Sequence, residues 1–284
     1  QQKINRLFLP FVALQALAEA ATNIEVFPYS LTEIMTAGEQ LKITPVLRTF
    51  FTLLNQCVLY NQYGPTECHV VTELKLDGNP ASWPSIPTIG KPISNTSIFI
   101  LNDMMKVVAD GDLGELYIAG KCLATGYLNN EKLNNEKFIE WKSPDGEKIR
   151  LYSSGDIAKY LPDGNIEFLG RQDDQVKISG HRIELAEVEL ALNSIAGIHQ
   201  AVVIASDYLG QNKLVAYLKS KGEQIDVSKI REEIVHLLPD YMIPSYFVLI
   251  DDFPRTSSGK IDKKTLPRAN YSRPISSPLL RKPS

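Results

Sequence analysis

The chain has 284 residues, of which 44% are hydrophobic and 22% charged, with a formal net charge of -3. This composition is ordinary for a globular protein long enough to form two domains, and the acidic balance offers no basic field for nucleic acid or an anionic membrane. No apolar run approaches the roughly 20 residues that span a bilayer, and the first residues lack the apolar core of a signal peptide, so we expect a cytoplasmic protein.

The first 75 residues alternate strand-like apolar runs with helix-like segments. The runs LFLP, EIMTAG and CVLYNQYG are separated by VALQALAEAA, which has alanine and leucine at helical spacing, and by a second helical segment near 44–54. Alternation of this kind is typical of a parallel β/α sheet. The sequence therefore predicts an α/β unit in this part of the chain.

Residues 86–170 carry a different pattern, made of short alternating strands. The strand-like runs are TSIFILND, GELYIAG, KIRLYSSGD and NIEFLG, and turn segments such as ADGD, SPDG and LPDG separate them. Short strands with such turns indicate antiparallel β structure. We expect these strands to form a distorted antiparallel β-barrel.

A third pattern begins after Asp173. Apolar residues at helical spacing predict a helix over 183–195, and the strands AVVIA and KLVAYLK, a helix near 227–238 and the strand YFVLI follow it. This mixture predicts a small α+β domain. The proline-rich and serine-rich tail at 271–284 is typical of a linker.

The segment NQYGPTE at 61–67 is the first with candidate chemistry, and it follows the apolar strand CVLY. Thr66 carries a hydroxyl that can donate to a phosphate, and Glu67 supplies an oxygen ligand of the kind Mg²⁺ prefers. Tyr63 offers a flat ring on which a purine can stack. Taken alone, however, the segment is more typical of a proline turn with a surface glutamate.

Three further polar segments lie in predicted turns. In SSGD at 153–156 the carboxylate of Asp156 can accept both hydroxyls of a ribose, and in TSSGK at 256–260 a loop delivers Lys260, although an isolated lysine is most often only solvated. The segment LGRQDDQVKISGHRIELAEVE at 169–189 packs two charged glycine turns between a strand-like run and a helix-like run. By itself it is compatible with a solvated turn and with a functional one.

Together these segments resemble the adenylate-forming enzyme superfamily, and most closely the amino-acid adenylation domains of nonribosomal peptide synthetases. The resemblance rests on NQYGPTE, GELYIAGKCLATGYLN, LYSSGDIAKYLPDGNIEFLGRQDDQVKISGHRIELAEVE, LPDYMIP and SSGKIDKKTLP, in the family's order and spacing. It implies an enzyme that joins an amino acid to ATP, releases pyrophosphate and passes the acyl group to the phosphopantetheine thiol of a peptidyl carrier domain.

The resemblance also implies the domain organisation, an α/β class combined with α+β. Residues 1–172 would be the C-terminal portion of the large domain, 173–270 a small mobile domain, and 271–284 a linker toward a carrier domain. The family's phosphate loop and the aspartate that binds the substrate α-amino group would lie upstream of Gln1. We therefore expect that full activity, and a partner for the open sheet of residues 1–75, requires the missing N-terminal part of the same domain.

An ATP site with a magnesium ligand and a catalytic lysine follows from the same resemblance. Glu67 would bind Mg²⁺. Lys260 would bridge the substrate carboxylate and the α-phosphate, where negative charge grows in the transition state. The nucleotide contacts would come from Asn61 and Tyr63 to the adenine, from Thr66 to a phosphate, from Asp156 and Arg171 to the ribose, and from Gly38, Glu39 and Gly64.

A second set of residues would line the pocket for the amino-acid side chain. Because this set is mostly apolar, with Gln62 as its one polar group, we expect a neutral apolar substrate; a charged one would lose solvation without gaining a partner. Asp173 would be the hinge of the small domain, and Gly180 with Arg182 would face the thiol after the domain turns. The pocket set implied is Phe8, Met35, Ala37, Gln62, Val70 and Val71.

Two alternative functions stay open at this point. A free-standing acyl-CoA or aryl-acid ligase belongs to the same superfamily, although RIELAEVE, LPDYMIP and the tail favour a domain tethered to a carrier. The other alternative is an inactive fragment that serves as a carrier-docking surface. The chain departs from the family pattern at Thr125, Ser153, Ser154, Ser179 and Ala186, and we expect the arginines absent at Thr125 and Ser179 to weaken local contacts.

Overall fold

A computed structural model describes residues 3–172, 175–208, 211–220, 222, 226–256 and 261–269. Contacts between Cα atoms divide the chain into two compact units, Gln1–Asp173 and Asp174–Ser284. None of the helices in the described ranges is long and apolar enough to cross a membrane.

The first unit opens with a five-stranded sheet and two helices. The first three strands are parallel and the last two antiparallel, in the spatial order of the sequence. The predicted α/β alternation is confirmed. The elements are β1 (Arg6–Leu9), α1 (Phe11–Ile24), β2 (Glu33–Thr36), α2 (Pro45–Leu53), β3 (Val58–Tyr63), β4 (Thr72–Leu76) and β5 (Lys91–Pro92).

One face of this sheet packs against the two helices, because apolar residues alternate along each strand. Leu14 of α1 and Phe50 of α2 are fully buried in a single cluster with Ile34 and Leu59 of the strands. The opposite face keeps at least partial exposure, and its Phe8 is 59% exposed. The parallel strands therefore have one buried face and one that stays accessible.

The second sheet of the first unit is antiparallel, as predicted, but it is open. Among the described residues its outer strands β6 and β10 do not pair with each other, so the expected barrel does not close. The reason lies in β9, which is 13 residues long and pairs with β7, β8 and β10, so the sheet branches along it. The elements are β6 (Thr96–Leu101), β7 (Gly114–Gly120), α3 (Glu131–Lys137), β8 (Phe138–Lys142), β9 (Lys148–Tyr160) and β10 (Ile166–Arg171).

The second unit is a small α+β domain, as predicted. A hairpin precedes a three-stranded sheet in which β14 pairs antiparallel with β13 and parallel with β15. The predicted helix at 183 begins only at Leu185, because Ile183 completes the hairpin opposite Val176. The elements are β11 (Gln175–Ile178), β12 (His181–Glu184), α4 (Leu185–Asn193), β13 (Ile198–Tyr208), β14 (Gln211–Ser220), α5 (Val227–Ile234) and β15 (Tyr246–Leu249).

Candidate active site

A compact loop follows the carboxyl end of β3, where ligands commonly bind in parallel sheets. The Val71 amide donates to the Tyr63 carbonyl at 2.8 Å, which closes the loop. Its start requires glycine, because a Cβ on Gly64 would lie 1.6 Å from the His69 carbonyl oxygen. The loop carries Thr66 exposed at its tip.

Glu67 is the candidate metal ligand on this loop, and it is half-buried. Its Oε1 accepts a hydrogen bond from the Tyr127 hydroxyl at 2.6 Å, and its carbonyl accepts from the Ala124 amide at 2.8 Å. Within the described ranges, no group of three or more His, Cys, Asp or Glu side chains could hold a metal ion. Mg²⁺ often binds through one or two carboxylates together with water and substrate phosphates, so a single carboxylate fits a magnesium–phosphate complex.

One buried thiol lies in the loop and another precedes β3. Burial raises the pKa of the Cys68 thiol to about 12, with a smaller contribution from Cys122. Burial likewise raises the pKa of Cys57, which precedes β3, to about 11. Both thiols therefore stay protonated near neutral pH.

The predicted ribose ligand, Asp156, lies in β9 with only 3% of its surface exposed. Arg171 stands opposite it in β10 and donates from Nη1 to Oδ1 at 2.6 Å. The Tyr63 hydroxyl donates to the other oxygen, Oδ2, and the Asp156 amide donates to Ser154 Oγ at 3.0 Å. Burial, followed by the Asp156 charge, raises the pKa of Tyr63 well above its usual value. The structure thus brings together three residues that are distant in sequence.

The two predicted adenine contacts are both largely buried. Tyr63 is 6% exposed, and its ring centroid lies 6.1 Å from that of Phe168. Asn61 donates from Nδ2 to the Thr88 carbonyl at 2.8 Å. Two further predicted nucleotide contacts, Gly38 and Glu39, are half-buried in the loop after β2, where Gly38 has a φ of 91°.

Glu115 of β7 lies in the candidate site, and the sequence patterns did not indicate it. Its Oε1 accepts from Ser153 Oγ at 2.5 Å and from the Gly155 amide at 3.0 Å, and its Oε2 accepts from the Tyr117 hydroxyl at 2.9 Å. The carboxylate therefore holds the backbone immediately before Asp156. A charged residue inside the apolar strand GELYIAG was the available signal.

The two serines that depart from the family pattern are both bonded within this site. Ser153 donates to Glu115, and Ser154 donates from Oγ to the Leu116 carbonyl at 2.5 Å. Ser154 is fully buried. A hydroxyl at each position therefore contributes to holding β9 against β7.

Three of the predicted pocket residues share the accessible face of the first sheet. Phe8 pairs with Met35, which in turn pairs with Tyr60, and Gln62 lies two residues further along the same strand. Gln62 donates from Nε2 to Glu73 Oε2 at 2.6 Å, so its amide has an acidic neighbour that the sequence did not indicate.

The other pocket residues lie at strand ends. Ala37 follows β2 and is half-buried, as is Val70 on the loop after β3. Val71 is fully buried in an apolar cluster with Tyr63 and Cys68. In this conformation Val71 therefore packs under the loop.

In the second unit, Gly180 occupies the turn of the β11–β12 hairpin. Gly180 and Ser179 both have positive φ values, 81° and 50°, as a two-residue type I′ turn requires. Arg182 donates from Nε to Gln175 Oε1 at 2.8 Å across the hairpin. The predicted hinge, Asp173, and the predicted catalytic residue, Lys260, lie outside the described residues.

Two family models match the chain. The model described as AMP-binding enzyme matches residues 3–128, and the model described as AMP-binding enzyme C-terminal domain matches residues 187–260. Among curated relatives, gramicidin S synthase 2 of Brevibacillus brevis is 46% identical over 268 residues, which is 94% of this chain and 6% of the relative. Tyrocidine synthase 2 of Brevibacillus parabrevis is 42% identical over 273 residues, 96% of this chain and 8% of the relative.

Solved structures share the fold. An NRPS protein with adenylation and PCP domains, bound to a vinylsulfonamide inhibitor, superposes with a TM-score of 0.77 at 26% identity, over 92% of this chain and 44% of that one. The amide bond synthetase of Marinactinospora thermotolerans superposes with a TM-score of 0.80 at 19% identity, over 92% of this chain and 51% of that one. The chain thus spans about half of these neighbours, and less than a tenth of the two curated relatives.

Proposed function

The chain belongs to the AMP-binding enzyme family, and from that premise we propose that it activates an amino acid for nonribosomal peptide synthesis. In the first half-reaction a carboxylate oxygen of the amino acid attacks the α-phosphorus of ATP, the bond to the β-phosphate oxygen breaks, and pyrophosphate leaves. In the second, a thiol attacks the acyl carbon and AMP leaves. The observation that carries the proposal is the convergence of Tyr63, Asp156 and Arg171 in the unit that also holds Glu67.

The nucleotide contacts in this proposal follow from the hydrogen bonds at Asp156. Its carboxylate keeps lone pairs for ribose hydroxyls, because each oxygen accepts one bond from the protein in the structure and can accept a second. Arg171 and Tyr63 hold that carboxylate in place. Asn61 would contact the adenine, as would the loop of Gly38 and Glu39. Gly64 allows the backbone to approach His69 closely, which forms the loop that carries Thr66.

Glu67 would hold Mg²⁺ together with the phosphates, and Thr66 would donate to a phosphate oxygen. Bound Mg²⁺ supplies positive charge that offsets the charge of the phosphate groups. Lys260 would contact the substrate carboxylate and the α-phosphate, so that its ammonium stabilises the charge that develops between them. The contribution of the protein is therefore orientation and electrostatics, with no covalent step on a side chain.

The amino-acid side chain in this proposal is neutral and apolar. Phe8, Met35 and Ala37 are apolar, and a charged group placed against them would lose solvation. Gln62 is the one polar contact, and its bond to Glu73 directs the amide nitrogen toward that carboxylate.

The partner in this proposal is a peptidyl carrier domain that bears phosphopantetheine. Two solved neighbours are described as containing adenylation and PCP domains. Residues 1–172 would be part of the large domain, 173–270 the small domain, and 271–284 the linker to the carrier. Asp173 would be the hinge, and Gly180 with Arg182 would meet the thiol.

Amino-acid-dependent pyrophosphate exchange tests the proposal, with a panel of amino acids and the full-length protein that carries this sequence. We expect exchange with one or a few neutral apolar amino acids, and about a 100-fold loss in Lys260→Ala, as for removal of one transition-state contact. Lys264→Ala is the matched control, because Lys264 is an exposed lysine four residues away, and it should stay within about twofold of wild type.

Each alternative predicts a different result in this assay or in a measurement of acyl transfer or carrier binding. Exchange that is strongest with a charged side chain would contradict the predicted substrate class. Acyl transfer to free CoA in preference to a carrier domain would favour the free-standing ligase. An absence of exchange with every amino acid, together with carrier binding, would favour the docking fragment.

A further inference from the structure

The segment 120–134, GKCLATGYLNNEKLN, carries part of the family resemblance but has no role in the function proposed above. We infer that this segment positions the metal ligand: Tyr127 holds the Glu67 carboxylate in the orientation that binds a divalent cation. The inference rests on the proposed function for the identity of the cation site. It adds Tyr127 as a positioning residue that acts through Glu67.

The segment contacts Glu67 at both its side chain and its backbone. The Tyr127 hydroxyl donates to Glu67 Oε1 at 2.6 Å, and the Ala124 amide donates to the Glu67 carbonyl at 2.8 Å. A glutamate side chain has three rotatable bonds, so fixing one carboxylate oxygen limits where the other can point. Carboxylates that bind metals are generally oriented by such second partners, whose loss weakens metal binding roughly 10-fold to 100-fold.

Tyr127 is itself held by the side chains of Asn134 and Phe138. Asn134 accepts from the Tyr127 amide at 2.6 Å and donates to the Tyr127 carbonyl at 3.0 Å. The Tyr127 ring lies 5.7 Å from the Phe138 ring. Gly126 has a φ of 152°, and a Cβ there would lie 2.6 Å from Asn134 Oδ1, so the approach of Asn134 requires glycine.

Arg150 holds the other side of the segment. Its two terminal nitrogens donate to the carbonyls of Ala124 and Thr125, each at 2.9 Å, and its guanidinium lies 4.5 Å from the centroid of the Phe138 ring. Arg150 contacts the backbone at 124–125 and the Phe138 ring, and Phe138 contacts the Tyr127 ring. The two residues therefore link both parts of the segment. If Tyr127 only stabilised the fold, its hydroxyl would not need to donate to Glu67, the candidate metal ligand of the loop.

The test compares Tyr127→Phe, Glu67→Gln and the double variant, with Mn²⁺ as the probe. Tyr127→Phe keeps the ring and removes only the hydroxyl. The matched control is Tyr160→Phe, which removes a half-buried tyrosine hydroxyl that donates to the Ile98 carbonyl at 2.7 Å in the same unit. Mn²⁺ binding to the protein with ATP is followed by electron paramagnetic resonance, and the Mg²⁺ concentration for half-maximal pyrophosphate exchange is measured in parallel.

We expect about 10-fold weaker Mn²⁺ binding in Tyr127→Phe and at least as large a loss in Glu67→Gln. The double variant should bind no more weakly than Glu67→Gln, because Tyr127 acts through Glu67. The KM for the amino acid should not change, and Tyr160→Phe should match wild type. Asn134→Ala, which frees the Tyr127 backbone, should shift Mn²⁺ binding in the same direction.

Wild-type Mn²⁺ affinity in Tyr127→Phe would overturn the inference, whether or not Glu67→Gln is impaired. Equal losses in Tyr127→Phe and Tyr160→Phe would overturn it too, since the effect would then be general to buried hydroxyls. Failure of the proposed function has a different result, namely no pyrophosphate exchange by the wild type. The Mn²⁺ comparison between variants does not depend on that exchange.

Discussion

Asp156 carries its charge in a site almost closed to solvent. Arg171 and Tyr63 each satisfy one of its oxygens, and the side chains of Arg171 and Asp156 are only 10% and 4% exposed. Removing one partner from such a pair leaves an uncompensated buried charge, which costs about 3–5 kcal/mol, whereas replacing both partners costs much less. The pair therefore contributes both to stability and to the proposed nucleotide site.

Arg171→Met should lower the free energy of unfolding by about 3 kcal/mol. Asp156→Asn combined with Arg171→Met should recover a large part of that loss, because the buried charge is then gone. Urea unfolding of the four proteins in this double-mutant cycle measures the coupling. Lys148→Met is the control, since the Lys148–Glu140 pair is 72% and 65% exposed, and it should cost less than about 1 kcal/mol. Strictly additive effects of the two buried substitutions would contradict the expectation.

For single residues, the sequence predicts which residues belong to the candidate site better than it predicts which residues they contact. The LPDG turn predicts that β9 and β10 pair, yet Arg171 stands opposite Asp156 only because the register shifts between Phe168 and Gly170. A one-residue shift of this kind moves every later side chain to the other face. The Tyr63–Asp156 bond joins residues 93 positions apart, and no local pattern encodes it.

At the scale of elements, the loop after β3 shows how a backbone contact places two site residues. Gly64 lies against the carbonyl of His69, and His69 itself has a φ of 59°. The loop therefore folds back tightly enough to return the chain to β4 while presenting Thr66 and Glu67. The geometry of the loop depends on the absence of a side chain at Gly64.

Gly64→Ala should destabilise the first unit by more than about 3 kcal/mol, because the new methyl group would overlap backbone atoms that cannot move independently. Gly78→Ala is the matched control: Gly78 has a φ of 72°, and a Cβ there would meet no atom within 4 Å, so only the left-handed backbone cost of about 1–2 kcal/mol applies. Thermal unfolding of both variants measures the difference. Equal losses would contradict the close approach.

Most elements of the first unit follow from sequence pattern, but their pairing does not. The β/α alternation before residue 75 indicates parallel strands, and the turn-rich region after it indicates antiparallel ones. The expected barrel was wrong because a run such as KIRLYSSGD shows that a strand exists without showing that it has three neighbours. Pairing is decided by contacts between distant segments, and β9 is longer than its pattern suggested.

At the scale of the whole molecule, the chain divides between Asp173 and Asp174 into two separately packed units. The first has apolar clusters on its two sheets, and the second has its own core around Val188 and Val203. Units with their own cores can move as bodies when the connecting residues change their dihedral angles. The proposed function uses this property, since one chain would serve two half-reactions.

Asp173→Pro should reduce thioester formation more than pyrophosphate exchange. Proline fixes φ near -65°, and we expect that restriction to hinder the change of domain orientation that thioester formation would need in the proposed function. Loading of radiolabelled amino acid onto a carrier domain and pyrophosphate exchange measure the two half-reactions separately. Asp173→Ala is the control that removes the carboxylate while leaving the backbone free. An equal loss in both half-reactions would show that Asp173 is not a hinge.

The burial of Cys57 and Cys68 also makes the molecule suitable for labelling at a single introduced cysteine. Cys57 and Cys68 are buried with pKa values raised to about 11 and 12, so they should react only slowly with maleimide dyes at neutral pH, because the thiolate is the form that attacks such reagents. With Cys122→Ser removing the third thiol, a cysteine introduced by Leu128→Cys, at a position 90% exposed, would accept a single fluorophore. The fluorescence of that dye would then report on the segment beside Glu67, and the label would replace none of the candidate site residues.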